Sequence, residues 1–429
     1  MKQKLFLIML AIIMLLPIAV QASANTNIIV YLNNEEIIFD VEPVIVDDRT
    51  MVPMRAIAEK LGATVTWDDN TKTAHAYNYD ERKGVSVAVG SSYMTDIYDK
   101  VITLDAPAIV HNGRTLVPLR AVAEAFKCEV HWDGQTRTVK IYSEDFVDYS
   151  KASDNMETVE AATAEDLLYS IGSNKRIILT ADYYNLSEVS EVNSESVKKQ
   201  NGWGDKFLDA YIVKNVVNMT IEGSAEIVVD DKDADVIKFE NCGKITLSGL
   251  TIGHTTSYEQ YMCEGAVLSF ENCDNIMINN CSLYGCGAFG IFAENVSALN
   301  VCETKIYDCT YTGIWLTNGS KATVDKTEFF DSSFVSGFIR VDSSSINCTN
   351  CNVHDVECKG VGDFIEIENI YPGKEPSDVI FSGCSFTNNT FDELTNSETG
   401  KITFNNCIFK NNKGNIKHLS ATHNNSTIS

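Results

Sequence analysis

The sequence predicts an all-β-dominated protein: a right-handed parallel β-helix of about eight to ten coils behind a small N-terminal α+β module of two repeats. Three observations lead there. Apolar columns recur with a period of about 23 residues from residue 213 onward. A different repeat, offset by 65 residues without a gap, occupies the region before residue 142. Asn, Gly and Asp fall between the short alternating segments, where a coiled chain must turn.

The 429 residues are enough for two or three domains. Lys2 and Lys4, the apolar run Leu5 to Val20 and the triplet Ala22-Ser23-Ala24 read as a secretory signal peptide over residues 1–24. An uncleaved anchor helix is the competing reading, but the run is short for a span and a cleavage site follows. No second run reaches spanning length. The expectation is a secreted or cell-surface protein with no membrane span after cleavage.

Residues 25–142 hold the tandem module. "RTMVPMRAIAEKLGATVTWDDNTKT" starts at Arg49 and "RTLVPLRAVAEAFKCEVHWDGQTRT" at Arg114. A proline opens each helix with its φ preset. Ala56, Ile57 and Leu61, or Ala121, Val122 and Phe126, give a short apolar face. "ATVTW" and "CEVHW" alternate as strands and lead into turns. This pattern resembles the copper amine oxidase N-terminal-like domain. The resemblance implies attachment or presentation at the cell envelope, not amine oxidation. "NYD" at Asn78-Tyr79-Asp80 looks like the core of a quinone-forming motif, but no His-any-His pair for copper exists, so no copper or quinone is expected. Arg55 and Arg120 are expected to pair with buried acids or carbonyls.

Residues 143–160 are acidic and polar and read as a linker. The β-helix is expected over 161–415. Its first column runs Met219, Ile245, Ile276, Leu299, Ala322, Ile346, Val379, Ile402. A second strand follows at Ile252, Leu283, Ile306, Phe329, Val353, Phe386 and Phe409, and a third at "AVLSFEN", "GIFAEN", "GIWLTN" and "DFIEIEN". One such coil cannot bury its own face, whereas stacked coils share a core. An antiparallel sandwich would lack the column register. The pattern resembles the pectate-lyase-like β-helix superfamily. Residues 163–188 suit an entry helix capping the first coil, and 416–429 read as a polar tail. Residues 253–265 and 368–377 depart from the period as longer loops.

The net charge is -25, of which -22 lies after residue 142. Such a surface repels nucleic acid and anionic lipid, and its simplest role is solubility. Of 13 cysteines, 12 follow residue 241. Cys281 belongs to a column, Leu250, Cys281, Thr304, Thr327, Cys351, Cys384, Cys407, which reads as small buried groups rather than bridges. Cys286 stacks over Cys309, 23 residues on, and this pair is the plausible disulfide.

Two constellations carry candidate chemistry. A corner column reads Gly285, Asp308, Asp331, Asp355, Asn388, Asn411. Stacked carboxylates could serve as acid and base or hold Ca²⁺, whereas Asn and Gly in the column point to plain turns. The other constellation is aromatic. Phe292 and Trp315 face outward in a column with Lys238, Ser269, Arg340 and Glu366, and Tyr284, Tyr307 and Phe330 form a second outward stack. Rings beside an Arg and a Glu suit sugar stacking, unless another part of the chain covers them. His254 and His354 look isolated, with a surface or corner role. The leading expectation is an envelope-associated protein that binds a polysaccharide or cell-wall glycan, or acts as an adhesin. The alternatives are a polysaccharide lyase or glycoside hydrolase, with Asp308, Asp331, Asp355, Arg340 and Glu366 as weak catalytic candidates, and a purely structural solenoid.

Overall fold

The computed structural model describes residues 27–78, 82–144, 146–201, 207–255, 265–285, 288–358, 363–371, 374–395, 400–416 and 421–429. The chain divides into two compact units, the first ending at Tyr142 and the second spanning Ser143–Ser429.

In the first unit the helices Met54–Lys60 and Leu119–Ala125 start directly after Pro53 and Pro118. Their buried faces are Met54, Ile57, Ala58 and Leu119, Val122, Ala123, so Ala56 and Ala121 stand at the margin. A four-stranded sheet joins the repeats through Arg49–Pro53 and Arg114–Pro118. There Val52 pairs with its own repeat equivalent, Val117, so the repeats are related by a local pseudo-two-fold axis. The ion pairs are reciprocal in the same sense: Arg49 to Asp105 at 2.7 Å and Arg114 to Asp40 at 2.6 Å. Arg55 and Arg120 depart from expectation. They sit exposed and face Glu59 and Glu124 one helical turn on, at 3.7 and 3.9 Å. Such pairs contribute little.

The second unit is a parallel β-helix built from three sheets. The first sheet has eleven strands, from Glu157–Ala161 to Ala421–Asn424, more levels than expected. The added levels come from both ends. The stretch read as a linker pairs from Glu157 onward with Lys175–Leu179, and the stretch read as a tail pairs through Ala421–Asn424 and Thr427–Ile428. Upstream of Glu157, the Tyr149 hydroxyl bonds to Asp274, so this segment also lies against the coils. The helix Ala164–Ser170 covers the entry with buried Leu167 and Leu168. Its N-cap Thr163 accepts from the Asp166 N–H at 3.0 Å, and Asp166 accepts from the Ala162 N–H at 3.2 Å.

The registered columns hold throughout: Ile245 pairs with Ile276, Leu299 with Ala322, and Val379 with Ile402. Inside, phenylalanines stack coil on coil, as Phe381 on Phe404 at 5.1 Å and Phe386 on Phe409 at 4.7 Å. The cysteine column is buried as predicted and also hydrogen-bonded. Cys281, Thr304, Cys351 and Cys407 each donate to the carbonyl two residues back, at 2.9–3.4 Å. The Cys351 N–H reaches Cys384 Sγ at 3.4 Å, as the Cys281 N–H reaches Thr304 Oγ1. Thr and Cys thus do one job, linking coils at a corner. Cys309 is buried, and Cys286 lies outside the described residues, so the pairing between them stays a prediction.

Candidate functional site

The outward column of the third sheet runs Lys238, Ser269, Phe292, Trp315, Arg340, Glu366, as the alternation requires. Phe292 and Trp315 meet edge to face at 5.2 Å and 72°. Two rings that sequence reasoning passed over join them. Phe289 lies 5.1 Å from Trp315 and 5.7 Å from Phe292, and Tyr311 lies 5.6 Å from Phe289. Phe289 should point inward by strict alternation. Gly290 explains why it does not: a side chain there would meet Ile306 at 2.7 Å and the Gly313 carbonyl at 2.6 Å. The backbone therefore runs tight against the core at Gly290, and Phe289 turns out beside Phe292. The glycine was the legible signal.

Arg340 closes one end of this cluster. Its guanidinium carbon stands 4.6 Å over the Trp315 ring, and the side chain is only 15% exposed. Glu366 at 3.4 Å and Glu368 at 3.1 Å both pair with it. Ser336 donates a short hydrogen bond to Glu366. Burial pushes the Glu366 carboxyl above the usual carboxylate range, against the pull of Arg340. Trp315 Nε1 and Arg340 Nε are buried without a hydrogen-bond partner among the described residues. Two residues along each strand lies a column of four charged residues, Lys214, Glu240, Glu271 and Glu294, followed by the neutral Thr317. Lys238 pairs with Glu240 at 3.1 Å and Glu271 at 2.9 Å. The Glu294 carboxyl is raised by burial and by Glu271.

The second stack lies on the second sheet. Tyr284, Tyr307, Phe330 and His354 are nearly parallel, at interplanar angles of 19°, 15° and 6°. Gly253 below clears room for the Tyr284 ring, whose hydroxyl donates to Glu226 at 2.6 Å. His354 is not isolated: it bonds Asp355 at 2.8 Å and Glu328 at 3.1 Å. Burial would lower its pKa, but these two carboxylates outweigh burial and raise it. His254 is buried between the carbonyls of Gly285 and Ala234 at 3.0 and 2.9 Å, inside the coil and not on its surface.

The corner column Gly285, Asp308, Asp331, Asp355, Asn388, Asn411 has positive φ at every member, from 45° to 61°. That is turn chemistry, which Gly, Asn and Asp tolerate best. Asp308 is raised by burial and by Asp331, while Asp355 is engaged by His354 and Asn388. These aspartates sit at a corner, and Arg340 and Glu366 on the third sheet. Among the described residues no group of three or more His, Cys, Asp or Glu is placed to hold a metal ion, so the column offers Ca²⁺ no such cluster there. Tyr79 and Asp80 of the "NYD" motif lie outside the described residues.

The first unit has a groove of about 980 Å³, lined among others by exposed Ile38, Trp67 and Val110 and by Arg55 and Lys60.

Two families match the chain. Residues 31–141 match the copper amine oxidase N-terminal domain, and residues 235–390 match the right-handed β-helix region. No curated protein matches the sequence. Among solved structures, pectate lyase Pel9A is similar at 9% identity and a TM-score of 0.40, over 63% of this chain and 80% of that one. PfbA, a surface adhesin of Streptococcus pneumoniae, is similar at 10% and 0.32, over 61% and 75%. Pectate lyase Bsp165PelA from Bacillus sp. N165, solved with trigalacturonate, is similar at 12% and 0.28, over 61% and 84%. These are likenesses of fold. The matched β-helix region includes the whole column from Lys238 to Glu366. Among the described residues no helix is long and apolar enough to cross a membrane.

Proposed function

We propose that this is an exported protein of the cell envelope whose β-helix flank binds a glycan, with the N-terminal unit serving attachment. The observation that carries the reading is the four-ring cluster of Phe289, Phe292, Tyr311 and Trp315, half-buried on an outward face. Rings that are not stacked in parallel keep part of their faces turned outward, and a ring face is what the apolar side of a sugar stacks on; Arg340 covers one face of Trp315. Arg340, fixed by Glu366 and Glu368, adds polar groups at the rim. The exposed Trp67 groove of the first unit is the candidate attachment face.

The raised Glu366 carboxyl beside Arg340 keeps one catalytic reading in view, a lyase or hydrolase with Glu366 as acid. Against it, Arg340 is committed to two carboxylates and is not free to take a proton. A glycan array on the intact protein tests binding, with reducing-end and unsaturated-product assays on the same glycans. Binding that Trp315→Ala abolishes, without product, supports the proposal. Turnover would replace it with the enzyme reading, and binding untouched by Trp315→Ala would remove the ring cluster from the function.

A further inference from the structure

We infer that the bound glycan carries free primary amines: Glu294, beside the ring cluster, is the group placed to receive them. The inference rests on the glycan-binding reading above and names the ligand class of that same site.

Charge on the two outward columns of the third sheet is lopsided. Six carboxylates, Glu240, Glu271, Glu294, Asp342, Glu366 and Glu368, share it with four cations, Lys198, Lys214, Lys238 and Arg340. Three of the four are paired with carboxylates, and Lys198, two strands before Lys238 and away from the rings, donates to the Ser194 carbonyl at 2.8 Å. Lys214 pairs with Glu240, Lys238 bridges Glu240 and Glu271, and Arg340 bridges Glu366 and Glu368. The ring cluster falls between these two ion-pair groups. Glu294 lies level with it, on the strand that carries Phe289 and Phe292. It faces the same side as Phe292, about 7 Å along the strand. Directly below it in register stands Glu271; Asn318 hydrogen-bonds its carboxylate and Lys238 attracts it, but no cation forms an ion pair with Glu294 among the described residues. Its neighbour in the coil above is Thr317, a neutral residue.

A sugar laid on Phe292 and Trp315 therefore meets a half-buried carboxylate that Glu271 repels and that holds no ion pair among the described residues. An ammonium on that sugar would supply the missing cation. Arg340 already stands over the Trp315 ring, so the partner for an ammonium on this face is Glu294 and not that ring. A uronate polymer would bring its own carboxylates to this face and be repelled. A neutral N-acetylated sugar would stack but leave Glu294 without a cation.

The test titrates the intact protein with three tetrasaccharides: fully de-N-acetylated glucosamine, its N-acetylated counterpart, and galacturonate. The de-N-acetylated form is expected to bind at least about tenfold tighter than either other, with the advantage shrinking severalfold between 0.05 and 0.5 M salt, as screening of a partly exposed pair requires. Glu294→Gln keeps the side-chain volume and is expected to narrow the ratio between the first two to within about threefold. The salt series on the unaltered protein reads the same term without a substitution. Equal affinity for the amine and N-acetyl forms would overturn the inference and leave glycan binding standing. Tightest binding of galacturonate would overturn it too. If none of the three binds but the array yields another glycan lacking amines, the inference fails alone. If no glycan binds at all, the reading beneath it fails as well.

Discussion

The β-helix carries two rows of outward aromatic side chains, and they are built differently. On the second sheet Tyr284, Tyr307, Phe330 and His354 lie nearly parallel, each ring covering its neighbour's face. On the third sheet Phe289, Phe292, Tyr311 and Trp315 meet at 35° to 83°, and their faces point in several directions. Both rows repeat with the coil, so sequence alone ranks them equally. Their geometry separates them. A parallel ladder uses its faces on itself and leaves edges to solvent, which favours stability. A cluster of tilted and edge-to-face rings does not use all of its faces on itself, although Arg340 takes one face of Trp315.

The most disruptive way to probe this contrast is Arg340→Ala. It strips the cation from Glu366 and Glu368 and uncovers Trp315, and should cost about 2–3 kcal/mol of unfolding free energy in urea melts. Trp315→Ala should cost about 2 kcal/mol of glycan affinity by calorimetry, the scale of a central aromatic anchor, with a smaller effect on folding. Tyr307→Ala should do the reverse, losing about 1 kcal/mol of stability from two ring contacts while leaving glycan affinity unchanged. If Tyr307→Ala weakens binding as Trp315→Ala does, the distinction between the rows collapses. A subtler probe is pH. The folded pKa of His354 is raised, so its contribution is complete below the unfolded value of about 6.5 and fades as pH rises through the folded value. Melting temperature should fall between pH 6 and 8, and His354→Gln should flatten that fall. The finest test is a thiol count on the denatured, unreduced protein. Thirteen free thiols would rule out a bridge from Cys286 to Cys309.

The coil was legible because its constraint is collective. Each apolar column must stay in register with every other, and a 23-residue period repeated several times leaves few alternatives. Its ends were not legible, since end coils have neighbours on one side only and carry fewer apolar residues. Glu157–Ala161 buries only Ala161, and Thr427–Ile428 buries neither residue. At the site, alternation put Phe292 and Trp315 on the surface correctly, and missed Phe289 where Gly290 shifts the phase. The aspartate corner shows the opposite limit. Its spacing suggested joint chemistry, but the left-handed backbone at every member accounts for Gly, Asn and Asp there as turn residues alone. Arg55 and Arg120 teach the same caution in the first unit: an identical residue in both repeats ended up on an exposed helix face.

Because adjacent strands of the third sheet are spaced by about 4.8 Å, the flank is a graduated scale. The Lys238 ion-pair group marks one end and the Arg340 group the other, and the rings sit on graduations between them. Adding or removing one coil would move those two marks by one whole division and by nothing in between. A lineage of such chains could therefore change the separation of the two charged groups only in discrete increments, while every side chain kept its own local surroundings.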